Sequence, residues 1–371
     1  MFQAMAWIIK LGPTTTTSLV IARIICGVAG GGCFNVVPMY VKEISQDSMR
    51  GTLGMILIIA QNTGILIVFA IGGYLAYDTV LWIVVGLPFL TMVGMIKAPE
   101  SPSYLVKTGK HDKAAATIAF LRGRSTDDKV VTHEIDQIKS EDERFKSLPN
   151  VSYLQIFKHK AWGRGFTIMI MIMVCHGLNG GFSIITYASI ILAQSGVTLS
   201  PELQSLAIPA FMILGSLLSM VCVERLGRKI IICSSFLISG VTFASLSAIL
   251  LTQRLGGWLP GWLPIMFIVM AVCAYAIGVS PMPFVIMSEM FNFQIRAKVM
   301  GVLVTLGWLF SFVQLLAYNP IASAYGAHVS FLCFAVINLC GAFIILVLLP
   351  ETKGKTVEEI ELELEKRLDK K

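Results

Sequence analysis

The segment MVCHGLNGGFSIITYASIIL, residues 173–192, places side chains with hydrogen-bonding chemistry inside an apolar run. They are His176, Asn179, Ser183, Thr186 and Tyr187, and glycines at 177, 180 and 181 lie among them. A histidine in such a segment allows three interpretations: a packed neutral side chain with a hydrogen bond, a ligand contact in a cavity, or a proton-coupling group. The glycines predict close helix approach and a bend.

The whole chain must position these groups within a membrane. Of its 371 residues, 56% are hydrophobic and 14% charged, whereas soluble domains carry about 25% charged residues. The apolar residues gather in runs of roughly 20, the length that crosses a bilayer as a helix. The fold class is therefore an all-α polytopic membrane protein. The eight cysteines show no metal-ligand spacing and are interpreted as packing residues.

Hydropathy predicts nine full spans and one short N-terminal stub. The predicted segments are Met1–Leu11 (the stub), Leu19–Val41, Leu53–Tyr74, Val80–Ile96, Phe166–Gln194, Leu203–Val223, Ile230–Leu251, Leu263–Met287, Val299–Leu316 and Val329–Leu349. All of the 29 basic residues except Lys10, Arg23 and Arg254 then fall in loops or tails on one side. The positive-inside rule makes that side cytoplasmic, together with both chain termini. The basic residues that give the net charge of +7 are distributed among these loops and do not form one soluble basic surface. The charge therefore does not indicate nucleic-acid binding.

Two corners of the chain resemble each other. PMYVKEISQDSMRG contains Glu43 and Arg50, and PFVIMSEMFNFQIRA contains Glu289 and Arg296, with the same spacing. A Pro-Glu pair ends at Glu100 and another ends at Glu351, and the number of residues between these two pairs is nearly the same as that between Glu43 and Glu289. We therefore predict two parallel repeats of about six spans each. The second repeat shows six spans and the first shows three and a stub, so we expect two and a half spans to be missing at the front; a natural ten-span protein is the alternative.

Charged residues at the predicted cytoplasmic corners suggest a gate. Isolated charges are costly at helix ends in a membrane, whereas pairs satisfy each other. Such pairs could latch the two halves and release them during alternating access; the alternative is that single members only anchor helix ends. The set is Glu43, Arg50, Glu100, Glu224, Arg225, Arg228, Glu289, Arg296 and Glu351.

The ordered motifs resemble those of one transporter family. RIICGVAGGGCFNVVPMYVKEISQDSMRG, PESPSYL, VERLGRK, PMPFVIMSEMFNFQIRAK and PETKGK together are similar to the sugar porters of the major facilitator superfamily, the relatives of glucose transporters. Within that family the chain looks most similar to insect facilitated trehalose transporters. The resemblance implies the major facilitator fold, with two pseudo-repeated halves of which about nine or ten of twelve spans are present. Its domains would be 1–96, the incomplete first half (spans 3–6); 97–164, a cytoplasmic linker with short helices; 165–349, the second half (spans 7–12); and 350–371, a cytoplasmic tail.

The family's sugar contacts can be carried over only in part. Its seventh span has paired glutamines, a serine and an asparagine where this chain has His176, Gly177, Asn179 and Phe182. In its tenth span, Phe284 stands where the family has tryptophan. The resemblance implies a hinge at Pro281 and Pro283, and the candidate substrate-binding residues are His176, Asn179, Tyr187, Phe284, Trp308 and Gln314.

The function expected from this resemblance is facilitative sugar uniport by alternating access, with trehalose or a related sugar as the substrate. The alternatives are a hexose transporter of another branch and a sugar-binding or sensor protein with little transport. The chain shows no phosphate loop, metal-ligand spacing or nucleophile motif, so we expect no enzyme activity, metal or cofactor. The expected partners are the sugar and the bilayer but no nucleic acid, and we expect a monomer in the plasma membrane.

Overall fold

The computed structural model describes residues 1–12, 15–46, 49–147, 151–193 and 201–366. The side chains of Arg50 and Glu224, both predicted for the gate, lie outside the described residues. Within the described ranges the regular structure is entirely helical. Its α-helices are α1 (Phe2–Leu11), α2 (Thr16–Ile44), α3 (Arg50–Tyr74), α4 (Tyr77–Met95), α5 (Pro102–Lys107), α6 (His111–Arg122), α7 (Lys129–Ser147), α8 (Tyr153–Lys158), α9 (Lys160–Gly177), α10 (Gly181–Ala193), α11 (Pro201–Leu226), α12 (Arg228–Arg254), α13 (Trp262–Ala274), α14 (Met282–Met290), α15 (Phe293–Tyr325), α16 (Ala327–Leu348) and α17 (Val357–Lys366).

Nine segments of the described chain are long and apolar enough to cross a membrane, and α1 is a shorter apolar helix. This confirms the prediction of nine full spans and a stub. Two of the nine segments, Lys160–Tyr187 and Trp262–Met290, are composite. The first joins α9 to α10 across a turn, and the second joins α13 to α14 through a π-helical turn, Tyr275–Val279.

The chain forms two compact units. The first comprises Met1–Leu57 and Ala70–Pro149, and the second comprises Ile58–Phe69 and Asn150–Lys371. In the first unit, α1 packs against α2 and α4, and the small side chains of Ala6 and Ala22 are fully buried. Small residues allow such close helix approach in a membrane, where packing rather than water exclusion drives association.

The short helices of the first unit form a layer of their own. Leu105, Ala114, Ile118 and Val131 are buried between α5, α6 and α7. The helix α6 ends at Gly123, whose φ of +62° is the left-handed conformation that terminates helices. The predicted linker with short helices therefore contains a small packed core.

In the second unit, α12 packs along α16. A Cβ at Gly240 would lie 2.8 Å from the Leu339 side chain, and one at Gly341 would lie 2.9 Å from Phe236. These glycines therefore set how closely the two helices approach. The amphipathic helix α17 packs against α9 and α14, with Ile360 and Leu364 fully buried.

Candidate functional site

The turn between α9 and α10 is held together by Asn179. Its amide nitrogen donates to the carbonyl of His176, and its amide oxygen accepts from the backbone N–H of Gly181. Gly180 in the same turn has a φ of +99°, a conformation that favours glycine. Asn179 is 3% exposed, so both ends of its amide are engaged inside the protein.

His176 connects this turn to the second broken span. Its Nδ1 atom lies 2.9 Å from the carbonyl oxygen of Val279, at the end of the π-helical turn. A carbonyl only accepts hydrogen bonds, so Nδ1 carries the proton in this arrangement. In a continuous helix this carbonyl would accept from the residue four positions later, but that residue is Pro283, which has no N–H. His176 therefore supplies the donor that the proline removes.

Two further amides serve the carbonyl end of α9. The side chain of Asn338 donates to the carbonyl of Asn179 over 2.8 Å. The amide of Gln314 satisfies both of its ends when its oxygen and nitrogen exchange places. In that orientation its nitrogen donates to the carbonyl of Gly177 over 2.6 Å, and its oxygen accepts from the N–H and hydroxyl of Ser183. The last carbonyls of a helix have no partner within it, and here buried side chains provide the donors.

Gly177 lies where α9 and α15 meet. A Cβ at this position would lie 2.6 Å from Cβ of Phe310 and 2.7 Å from the carbonyl of Gly307. No real side chain tolerates such distances, so the glycine is required for the close contact of the two helices. The predicted role of the glycines in bending and close approach agrees with this geometry.

The aromatic candidates are more open than the polar ones. Tyr187 is half-buried, its hydroxyl accepts from Asn319 over 3.2 Å, and its ring stacks on Tyr318. Trp308 is 43% exposed and its ring centroid lies 5.4 Å from that of Phe182. A sugar bound here would meet aromatic faces, which suit the apolar face of a sugar ring.

The remaining candidates lie beside the second break. Phe284 is half-buried, and its ring meets that of His176 edge-on at 6.1 Å. Pro281 and Pro283, predicted as the hinge, are buried at the start of α14 and follow the π-helical turn. The backbone is discontinuous where the prolines predict it, while their hinge motion stays a prediction.

The charged residues at the other end of the second unit form a cluster around Glu351. Its carboxylate accepts from the backbone N–H groups of Arg228, Lys229, Thr352 and Lys353 at 2.9–3.2 Å. It therefore caps the N-terminus of α12, where partial positive charge accumulates. Gly227 makes room for it, because a Cβ there would lie 2.8 Å from the carboxylate.

Glu289 extends this cluster. It forms an ion pair with Arg228 at 2.8 Å and accepts from the hydroxyl of Thr352 at 2.6 Å. The backbone carbonyl of Arg225 accepts from Lys353, and Arg296 donates to the carbonyl of Phe291. Arg228, Glu289 and Glu351 are thus brought together within the second unit, while Arg296 bonds a different group.

In the first unit, one of the predicted gate residues has a partner outside the predicted set. Glu43 accepts from the hydroxyl of Ser101, which also caps α5. Glu100 is exposed. A pair not predicted from the sequence, Arg122 with Glu134 at 2.6 Å, binds α6 to α7, and Arg122 also donates to the carbonyl of Ile44. The role of the whole set as a latch stays a prediction.

Several structurally important residues were missed in the sequence. Asn338 and Asn319 are single polar residues without a motif, and Asn62 donates to the Ser216 hydroxyl over 2.7 Å. The tail at 350–371 was predicted, but the docking of its helix α17 through Trp162, which donates to Glu361 over 2.7 Å, was not. An amide within an apolar run is a usable signal, because a buried amide requires partners.

Comparisons with known proteins identify the family of the chain. Residues 2–364 match the family described as sugar (and other) transporter. The chain belongs to this family. It is 27% identical to a facilitated trehalose transporter of Bombyx mori, over 96% of this chain and 70% of the relative, and 27% identical to one from Drosophila simulans, over 94% and 74%.

Solved structures show the same fold. The chain matches the inward-open xylose transporter XylE from E. coli with a TM-score of 0.79 and 20% identity, covering 98% of this chain and 79% of that one. A second structure, the major facilitator superfamily proton:xylose symporter XylE bound to 6-bromo-6-deoxy-D-glucose, matches with a TM-score of 0.74 and 22% identity, covering 98% and 82%. The fold is that of the major facilitator superfamily, as predicted, and the protein is a membrane-spanning transporter of the sugar transporter family rather than an enzyme.

Proposed function

We propose that this protein carries trehalose or a closely related sugar across the plasma membrane by facilitative uniport. The observation that carries the proposal is the pair of broken helices joined by His176 and Val279. Broken spans give a transporter a place where helix segments can reorient around a substrate. The names of the relatives support trehalose as the substrate.

The residues proposed to contact the sugar divide into two groups. Tyr187, Phe284 and Trp308 are open or half-buried aromatic side chains that can cover a sugar ring. His176, Asn179 and Gln314 are buried and bonded within the protein, so we assign them the task of shaping the break. A direct contact with sugar would require them to exchange a present partner.

The proposal includes the arrangement in the membrane. We infer that both termini and the Glu351 cluster are cytoplasmic, because nearly all basic residues lie on that side. The halves 1–96 and 165–349, with the linker 97–164 and the tail 350–371, are the proposed domains, and the protein is proposed to act as a monomer. An accessibility assay on single cysteines introduced at Trp258 and Glu358 tests the topology, with labelling from outside expected only at the first.

Uptake of labelled sugar tests the function. We expect oocytes that express the protein to accumulate trehalose with saturation and without dependence on a proton gradient. Glucose uptake measured in parallel distinguishes the hexose branch. Saturable uptake of neither sugar would refute the proposal.

A second candidate is a sugar-binding protein with little transport. It is favoured by one observation, the engagement of the His176, Asn179 and Gln314 side chains by other protein groups. It predicts that trehalose raises the thermal stability of the purified protein while uptake stays at background. Flux at a rate set by the sugar concentration would exclude it.

A further inference from the structure

The second unit contains a cavity far from the Glu351 cluster. Its volume is about 480 Å³, and its walls come from α10, α12, α15 and α16. The helix α12 begins at Arg228 in the cluster and ends at Arg254 in the cavity wall. Its residues span about 40 Å at 1.5 Å each, so the cavity lies at the opposite end of the unit, which is the outer end in the proposed topology. The volume falls within the range of about 300–1,000 Å³ that is usual for small-molecule sites.

The lining is rich in groups that both donate and accept hydrogen bonds. Gln253 and Asn319 contribute amides, Ser323 a hydroxyl, His328 an imidazole and Arg254 a guanidinium. Asn319 uses one N–H on the Tyr187 hydroxyl, and an amide has a second N–H and an oxygen besides. Among the lining residues that the structure describes there is no carboxylate.

Arg254 is held in place beside the start of α16. Its Nη1 atom donates to the carbonyl of Tyr325. Gly326, with a φ of +102°, allows this approach, because a Cβ there would lie 2.5 Å from Arg254 Nη1 and 2.8 Å from Nδ1 of His328. A guanidinium fixed in this way loses little conformational freedom when a ligand binds.

The cavity continues the face of α15 that carries the proposed sugar contacts. Trp308, Phe312, Asn319 and Ser323 lie at helical spacing on one side of this helix, and all four are exposed in the unit. Asn319 lies about 16 Å beyond Trp308 along the helix axis at 1.5 Å per residue. Asn319 therefore places a hydrogen-bonding amide further along the face that carries Trp308.

The hydroxyl groups of a neutral polyol fit this lining, because each hydroxyl of a sugar can accept a hydrogen bond from one group and donate to another. Tyr318 adds an aromatic side chain to the lining beside Asn319, and its ring stacks on that of Tyr187 at 4.9 Å. We propose that this cavity is an outer binding site for the transported sugar, of disaccharide size, which the sugar occupies before it reaches the break. The inference rests on the proposed function.

Two kinds of variant test the site by different means. Asn319→Ala and Gln253→Ala each remove hydrogen bonds and should weaken trehalose binding to the purified protein, and raise the KM of uptake, about three- to tenfold. Ala322→Trp fills the cavity without removing a polar group and should weaken binding at least tenfold.

Ser245→Ala is the matched control, since its hydroxyl lies on α12 and bonds only the Val241 carbonyl among the described groups. The trehalose affinity and the KM of this variant should not change. Melting temperatures without sugar confirm that each variant folds, and if Ala322→Trp does not fold the two amide variants decide.

The outcomes separate this inference from the proposed function. Saturable uptake with the same KM and the same affinity in all cavity variants overturns the outer site and leaves the transport function standing. Trehalose binding that the cavity variants weaken, in a protein without uptake, supports the site and overturns transport. If the unmodified protein neither binds nor transports sugar, both fail. Stabilisation by phosphatidylcholine vesicles that the variants abolish, without an effect of sugar, would assign the cavity to a lipid headgroup and overturn the sugar site.

Discussion

The hydrogen bond from His176 to the carbonyl of Val279 makes a quantitative prediction about stability. His176→Leu keeps a similar side-chain volume but removes the donor, which leaves a buried carbonyl unsatisfied. Such a loss costs about 1–3 kcal/mol. We expect the free energy of unfolding, measured by titration with sodium dodecyl sulfate in mixed micelles, to fall by that amount.

The origin of this cost can be isolated with Pro283. The variant Pro283→Ala restores a backbone N–H four residues after Val279, so the carbonyl can regain a donor within its own helix. We expect His176→Leu to cost less in this background, with a coupling energy of about 1 kcal/mol in the double-mutant cycle. His176→Asn, whose amide nitrogen can occupy the place of Nδ1, should retain most of the stability. Equal costs of His176→Leu in the two backgrounds would refute the view that the histidine replaces the donor lost at the proline.

Three further predictions concern other contacts in the second unit. Gly177→Ala should destabilise the protein by about 1–3 kcal/mol because α9 and α15 must separate. The control is Gly301→Ala on α15, which should be neutral or slightly stabilising because its added Cβ would meet nothing within 4 Å. Equal unfolding free energies for the two variants would contradict the close-contact role of Gly177. Glu351→Gln should lower the unfolding free energy by about 1–3 kcal/mol through loss of the charge at the start of α12. Glu141→Gln, at an exposed position inside α7, should leave it unchanged, and a null result for both would argue against the cap. Trp162→Phe removes the bond to α17, so amide hydrogens of residues 357–366 should exchange about three- to tenfold faster; unchanged exchange would show that packing alone holds the tail.

The spans were predictable because the bilayer imposes one length and one composition on all of them. The break before Met282 was also predictable, since Pro281 and Pro283 cannot continue a regular helix, and Gly180 marked the other. The contact that joins the breaks was not. His176 and Val279 are far apart in the chain, and a lone histidine in an apolar run looks the same whether it meets a carbonyl or a ligand. Only the packing of α9 against the second broken span decides between them.

Gln314 and Asn179 show that polar residues within spans can serve the backbone of a broken helix. In hydrocarbon, a backbone carbonyl released by a broken helix has no water to bond, so the protein must supply a donor. The carbonyls of His176, Gly177, Asn179 and Val279 receive donors from Asn179, Gln314, Asn338 and His176 in turn. Each break therefore requires buried amides or an imidazole whether or not a substrate binds there.

A distinction between backbone-satisfying and ligand-binding side chains follows from this requirement. A side chain that satisfies a broken helix is buried and bonds the local backbone at both ends of its polar group, as Asn179 does. One that receives a ligand must instead keep exposed hydrogen-bonding capacity, as Asn319 does at the outer cavity. Because the two kinds look alike in the sequence, the amides missing at the matched positions near the break do not by themselves imply a loss of sugar binding. The binding groups can lie further along the same helices, where water rather than a broken backbone is their partner before the sugar arrives.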